Sequence, residues 1–140
     1  MQIDPHLGFN GNCEEAFNFY EKTFGGKIEF KMTYGESPMA AQMAPEARNL
    51  IMHISMRVGN RVVMGADAPP EHQSKAEGFN VCVAVDSTAE AERVFNALAE
   101  GGKVTMPLAE TFWSARFGML TDRFGIPWMV NTNIANTPQA

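Results

Sequence analysis

Apolar residues recur along the chain in two alternating rhythms, and each rhythm occurs twice. Cys13, Ala16, Phe17, Tyr20 and Phe24 follow one another at intervals of three and four, which places them on one face of a helix. Ala91, Val94, Phe95 and Leu98 do the same. Each stripe has a helix-start signal, Asn12 with Glu15 three residues on and Ser87 with Glu90 three residues on. Asn12 and Ser87 lie 75 residues apart. Each stripe stops at paired glycines, Gly25-Gly26 and Gly101-Gly102, where a residue with positive φ can close the last turn. The second glycines of the two pairs are 76 residues apart.

The period-two rhythm flanks both helices. Ile28, Phe30 and Met32 alternate with polar residues after the first, and Val104, Met106 and Leu108 after the second, again 76 positions on. Before the helices stand Leu7-Gly8-Phe9-Asn10 and Val83-Ala84-Val85-Asp86, the latter closing a strand predicted from Phe79. Two hairpins follow: 50–58 and 61–67 around Gly59-Asn60, and 115–121 and 126–132 around the turn Asp122-Arg123-Phe124-Gly125. The pattern predicts an α+β fold of two βαβββ modules, at 1–67 and 78–134, with a Pro-bearing linker at 68–77 and a tail at 135–140. The segment 35–48, with Pro38 and Pro45, is a loop that could border a site. A module of about 70 residues is marginal alone, so the modules are expected to pair within the chain or across a dimer.

Composition narrows the partners. Eleven Lys and Arg against sixteen Asp and Glu give a formal charge of −5, which leaves no cationic surface for a phosphate backbone and argues against nucleic acid. Charged residues are only 19% of the chain, so some apolar surface is expected. The first residues show neither a basic start nor an apolar signal run, and no apolar stretch is long enough to span a bilayer, which predicts a cytoplasmic protein with no membrane partner. Cys13 and Cys82 are then free thiols. Cys13 could be activated by a helix N-terminus, but with no His or Lys nearby in sequence the simpler reading is a small residue at a helix start.

The candidate chemistry is sparse. His6, His53 and His72 form no ligand-spaced pair, and the linear evidence for a metal is weak. His6 beside Pro5 and His72 in the linker read as solvated or structural. A Gly59-Asn60 turn pairs Val58 with Arg61, Met56 with Val63, Ile54 with Gly65 and Met52 with Asp67, which sends His53 and Asp67 to opposite faces. His53 and Arg57 share the more polar face of their strand, which either lines a ligand cavity or is simply the wetter side of a sheet. The densest stretch, Glu110 to Gly118 and then Asp122 to Trp128, holds both tryptophans with Arg116 and Arg123. Rings beside a guanidinium can grip an anionic or aromatic molecule, although Trp113 and Trp128 also suit a core or interface. Asp122 reads as a turn former. Neither a nucleophile elbow nor a phosphate-cradling glycine loop is present in the sequence.

The duplicated βαβββ order, with Phe9-Asn10-Gly11-Asn12-Cys13-Glu14-Glu15-Ala16 leading to Phe19-Tyr20 and Phe24-Gly25-Gly26, resembles the vicinal oxygen chelate superfamily of glyoxalases, bleomycin-resistance proteins and extradiol dioxygenases. The closing run Thr111-Phe112-Trp113, Phe117-Gly118, Thr121-Asp122, Phe124-Gly125 and Pro127-Trp128-Met129 is similar to its PhnB-like branch. Members of that branch have been labelled 3-demethylubiquinone methyltransferase-like, but no adenosylmethionine-binding glycine loop stands in this chain. The resemblance implies a curved eight-stranded cavity, helices on its outer face and a homodimer. In metal-dependent relatives the ligands come from the first and last strands of each module. Carried over, those positions fall at Pro5 with His6 one off register, Met64 or Gly65, Asn80 and Met129. Pro, Gly and Met do not replace the His and carboxylate ligands of a divalent ion.

The reading is therefore a PhnB-like, homodimeric, small-molecule-binding protein without the usual metal and with no other cofactor. His53, Arg57, Asp67, Trp113 and Arg116 are its candidate ligand contacts: anion contact for the arginines, stacking for Trp113, proton or hydrogen-bond exchange for His53, and Asp67 as a polar group near a strand end. The alternatives are a divalent-metal lyase or dioxygenase using His6, His53 or a group from a partner subunit, and a dimeric scaffold without a ligand.

Overall fold

The computed structural model describes residues 1–133. The expectations for residue 134 and the tail at 135–140 lie outside the described residues. The chain divides into two compact units that meet between Lys75 and Ala76, inside the expected linker. The first contains β1 (His6–Phe9), α1 (Cys13–Phe24), β2 (Lys27–Thr33), β3 (Ile51–Val58) and β4 (Arg61–Asp67). The second contains β5 (Val81–Val85), α2 (Thr88–Ala99), β6 (Lys103–Ala109), β7 (Ser114–Thr121) and β8 (Pro127–Asn133). Both sheets have the same strand order, β1-β4-β3-β2 and β5-β8-β7-β6. The opening strand lies parallel to the closing one, and every other neighbour pair is antiparallel. Between its parallel pair each module thus interposes a helix and a hairpin, as a crossover requires. The fold is α+β, with two βαβββ modules of four-stranded mixed sheet.

The helical stripes are the buried faces. Cys13, Ala16, Phe17 and Tyr20 are buried on α1, joined by Thr23, while Phe24 is only half-buried. Ala91, Val94, Phe95 and Leu98 are buried on α2. In the first module they cover Leu7, Phe9, Ile54 and Met56, with Phe17 edge-on to Phe9 at 5.9 Å. Full burial of such side chains stabilises by about 1.5–3 kcal/mol each. Two strand glycines set how closely the helices approach. A Cβ on Gly65 of β4 would stand 2.6 Å from the Phe17 ring, and one on Gly118 of β7 would stand 2.6 Å from Phe95.

The two helix starts differ although the sequence signals look alike. The Ser87 hydroxyl accepts a hydrogen bond from the Glu90 amide at 3.1 Å, whereas Asn12 caps α1 by position only, with no side-chain cap bond. The carboxylate of Asp67, at the end of β4, replaces that cap by accepting from the Gly11 and Cys13 amides at 2.9 and 3.1 Å. Ser87→Ala is therefore expected to cost about 1 kcal/mol and Asn12→Ala only a few tenths. Equal shifts in urea midpoint for the two variants would contradict this.

The first hairpin has the predicted register, Val58 with Arg61, Met56 with Val63 and Ile54 with Gly65. Simple alternation fails on the edge strands. Register slips on both sides of the Phe30–Ser55 to Met32–His53 pairings put Ile28 opposite Met56 on the helix side, while Phe30 and Met32 face the other way. The same irregularity puts Val104 opposite Leu120 and Met106 opposite Met119. One extra residue in an edge strand resets the two-residue period, and a sequence read without its partner strand does not reveal this. The segment 35–48 folds into short 3-10 turns at Ala40–Gln42 and Pro45–Ala47, after one at Tyr34–Glu36. The linker carries another at Pro70–His72.

Candidate functional site

Each sheet has one face under its helix and one turned away from it. In the first module Gly65 and Ile54 lie on the helix side, so the row Phe30, Ser55, Met64 and His6, paired strand by strand, occupies the opposite face. His53 is on that face as well. Its ring stacks on His6 with centroids 6.1 Å apart and planes 24° from parallel, and lies 5.9 Å from the Phe30 ring. The structure thus brings together two histidines 47 residues apart in sequence, and His6, read as solvated or structural, belongs with His53. The sequence signal for His53 was its place on the polar side of its strand, and His6 carried none. Partial burial, and then the charge of His53, pull the His6 pKa below the usual 6.5.

Arg57 lies on the same strand face, and its Nε donates to Glu29 Oε1 at 2.6 Å in an ion pair exposed on both sides. Asp67 is elsewhere and otherwise engaged. It is 2% exposed, one carboxylate oxygen accepts the two amides at the start of α1, and the other accepts from Ile51 N at 2.9 Å. The Tyr34 hydroxyl donates to its backbone carbonyl at 3.0 Å. Placed as a polar ligand group by its position near a strand end, Asp67 instead joins three segments of the first module. Beside it, burial and then the charges of Asp67 and Glu14 push the Cys13 thiol far above its ordinary value. Cys13 is fully buried, so its reading as a packed small residue stands and an activated thiolate does not.

In the second module Trp113 and Arg116 part company. Trp113 is 38% exposed and meets Phe112 and Phe117 edge-on at 4.7 and 5.3 Å. Thr111 Oγ1 holds its turn by accepting from the Trp113 and Ser114 amides. Arg116 instead points to the helix side, with Nε 3.6 Å from Glu92 Oε1 of α2. The expected grip of ring and guanidinium on one molecule does not form, because a register slip between Ser114 and Arg116 decides which face the arginine takes. Trp128 is core, with Nε1 donating to Asp122 at 2.8 Å, and Asp122 also accepts from the Phe124 and Ile126 amides. Asp122 is thus the turn former its position suggested.

Two βαβββ modules, each carrying polar or aromatic groups on the sheet face away from its helix, are the architecture of a superfamily of small-ligand enzymes and resistance proteins. The profile of the Glyoxalase/Bleomycin resistance protein/Dioxygenase superfamily matches residues 2–130, and the chain belongs to that superfamily. Protein YjdN of Escherichia coli strain K12 is 35% identical over 139 residues, spanning 94% of this chain and 95% of its own. Among solved structures, protein PA1353 from Pseudomonas aeruginosa superposes with a TM-score of 0.87 at 48% identity, covering 95% of this chain and 98% of its own. The PhnB protein from Bacillus cereus gives 0.80 at 26% identity, covering 94% and 99%, in agreement with the PhnB-like motif.

The strand register relocates the carried-over ligand positions. Pro5 and Asn80 precede their strands, and the residues that pair across opening and closing strands are His6 with Met64 and Cys82 with Met129. Among the described residues no three His, Cys, Asp or Glu side chains cluster as ligands. Neither pair, an imidazole with a thioether in the first module or a thiol with a thioether in the second, supplies the oxygen ligands of a hard divalent ion or the three or four imidazole, thiolate and carboxylate ligands of zinc.

Proposed function

We propose that the chain binds a small molecule on the open sheet face of its first module, through His6, His53 and Phe30, without the divalent ion common in its superfamily. The stacked His6–His53 pair beside an exposed aromatic ring carries the reading. The ligand class follows from the groups. A depressed pKa keeps the His6 ring neutral near pH 7, so one of its nitrogens accepts a hydrogen bond or proton. Phe30 offers an apolar plane, and Arg57 can exchange its exposed Glu29 partner for an anion, because a surface ion pair is worth only about 0–1 kcal/mol. A flat molecule with a donating hydroxyl and a carboxylate satisfies all three. Trp113 remains an exposed ring suited to stacking, while Arg116 on the helix side is no part of this site. Apolar side chains exposed on edge strands, Phe30, Val104 and Met106, support association with a second copy. Two free cysteines suit a reducing cytoplasm, and among the described residues no helix is long and apolar enough to cross a membrane.

The test is NMR of the imidazole carbons, titrated with 4-hydroxybenzoate and, as a control lacking the hydroxyl, benzoate. The first is expected to shift the His6 and His53 signals more strongly, with the effect abolished in His53→Ala. Because the folded pKa of His6 lies below its unfolded value, protonation opposes the fold; stability should decline as pH falls below 6.5, and binding as pH falls further through the lower folded pKa. Imidazole signals indifferent to 4-hydroxybenzoate, or binding unchanged in His53→Ala, would overturn the assignment.

A further inference from the structure

The second module carries a feature that the histidine site does not use. On the sheet face away from α2, Met106 of β6 pairs with Met119 of β7, Met119 with Met129 of β8, and Met129 with Cys82 of β5. Residues paired in register share a face, so four sulfur side chains form one row across four successive strands. Gly118 and Trp128 confirm which face this is not, the first lying beneath Phe95 of α2 and the second buried. The row is accessible: Cys82 and Met106 are exposed, and Met119 and Met129 are half-buried. The adjoining row on the same face, Ala84, Asn131 and Phe117, brings no carboxylate or imidazole.

We infer that Cys82, Met129 and Met119 form a binding site for a soft monovalent d10 cation, copper(I), with Met106 at its outer edge. Thiolate and thioether sulfur select such ions, whereas magnesium, calcium and manganese require oxygen. The spacing suits it. Neighbouring strands lie about 4.8 Å apart, and methionine arms with three rotatable bonds can converge on one ion at sulfur–metal distances of about 2.3 Å, as for zinc thiolates. The repeat supplies an independent argument. Cys82 and Met129 occupy, in the second sheet, the slots that His6 and Met64 occupy in the first, so both copies pair a nitrogen or sulfur donor with a thioether across opening and closing strands. As the metal–sulfur bond forms, an arriving cation displaces the Cys82 thiol proton to solvent. No oxidation or reduction is involved. The inference does not rest on the ligand reading of the first module, whose test concerns His6 and His53.

The experiment is competition between the full-length protein and bicinchoninate for copper(I) under anaerobic, reducing conditions. Methionine methyl NMR with silver(I), a redox-stable substitute, is run in parallel. One copper per chain is expected, with silver shifting the Met119 and Met129 methyl signals. Cys82→Ser should weaken binding on the order of 100-fold, and Met129→Leu on the order of 10-fold. Leucine nearly conserves methionine volume, and equal melting temperatures of variant and parent keep a folding defect from imitating the result. Cys13→Ala should bind as the parent does. Copper retained undiminished in Cys82→Ser, zinc(II) bound as tightly as copper(I), or unshifted Met119 and Met129 methyls would each overturn the inference.

Discussion

Asp67→Ala is expected to destabilise the first module by about 3–5 kcal/mol, as loss of a buried hydrogen-bonded charge does. The carboxylate is 2% exposed and serves three backbone donors, Gly11, Cys13 and Ile51. Alanine leaves the buried Cys13 and Ile51 N–H groups without a partner, each unsatisfied donor costing about 1–3 kcal/mol, while the part-buried Gly11 amide can turn to water. Part of that is recovered if the start of α1 frays outward, which sets the lower end of the range. Asp67→Asn separates the terms. Its carbonyl oxygen can keep the Gly11 and Cys13 amides, but its NH2 then faces the Ile51 N–H, donor against donor. Asparagine should therefore cost less than alanine yet remain clearly damaging. Urea unfolding of the three proteins checks the order, and an asparagine variant as stable as the parent would show that the Ile51 contact carries no weight.

Gly102→Ala should cost about 3 kcal/mol, at the top of the usual range for an overpacked site. A Cβ there would collide with the Thr121 carbonyl oxygen and stand 2.9 and 3.0 Å from Asp122 Cα and C, all of them backbone. These atoms belong to the end of β7 and to the turn that Asp122 ties to Trp128, so they cannot retreat without breaking it. Its repeat-mate Gly26 provides the control. A Cβ on Gly26 meets Arg57 O at 2.8 Å, but its other close neighbours, Val58 Cγ2 and Met56 Cγ, are side-chain atoms able to rotate. Gly26→Ala should be the milder change. Thermal melts of both variants test the ranking, and a Gly26 variant melting below the Gly102 variant would refute it.

What was legible in the sequence was what is local. The Phe17 and Phe95 stripes, the glycine stops and the Gly59-Asn60 hairpin each depend on residues a few positions apart, and all are present in the fold. The closing motif, from Thr111 to Met129, likewise pointed to the right superfamily. What was not legible depends on register between distant strands. Ile28 and Phe30 divide between faces because of a bulge, and Arg116 turns to Glu92 because of another. Asp67 looked like a ligand group because its position at a strand end was visible and its three amide partners were not. His6 met His53 only once β1 had paired with β4, and β4 with β3. Within this candidate site the residue types were readable and their company was not.

The unlike starts of the two helices bear on the order in which the chain can gain structure. The first turn of α2 is closed by a serine three residues away, so it can be satisfied while the rest of its module is still disordered. The first turn of α1 waits for a carboxylate 54 and 56 residues further on, and the chain must close that loop before its amides are satisfied. Opening the end of β4 therefore releases the start of α1 with it, whereas the first turn of α2 keeps its own cap. Two copies of one topology have thus come to differ in how tightly their ends are coupled, through the position of a single capping oxygen.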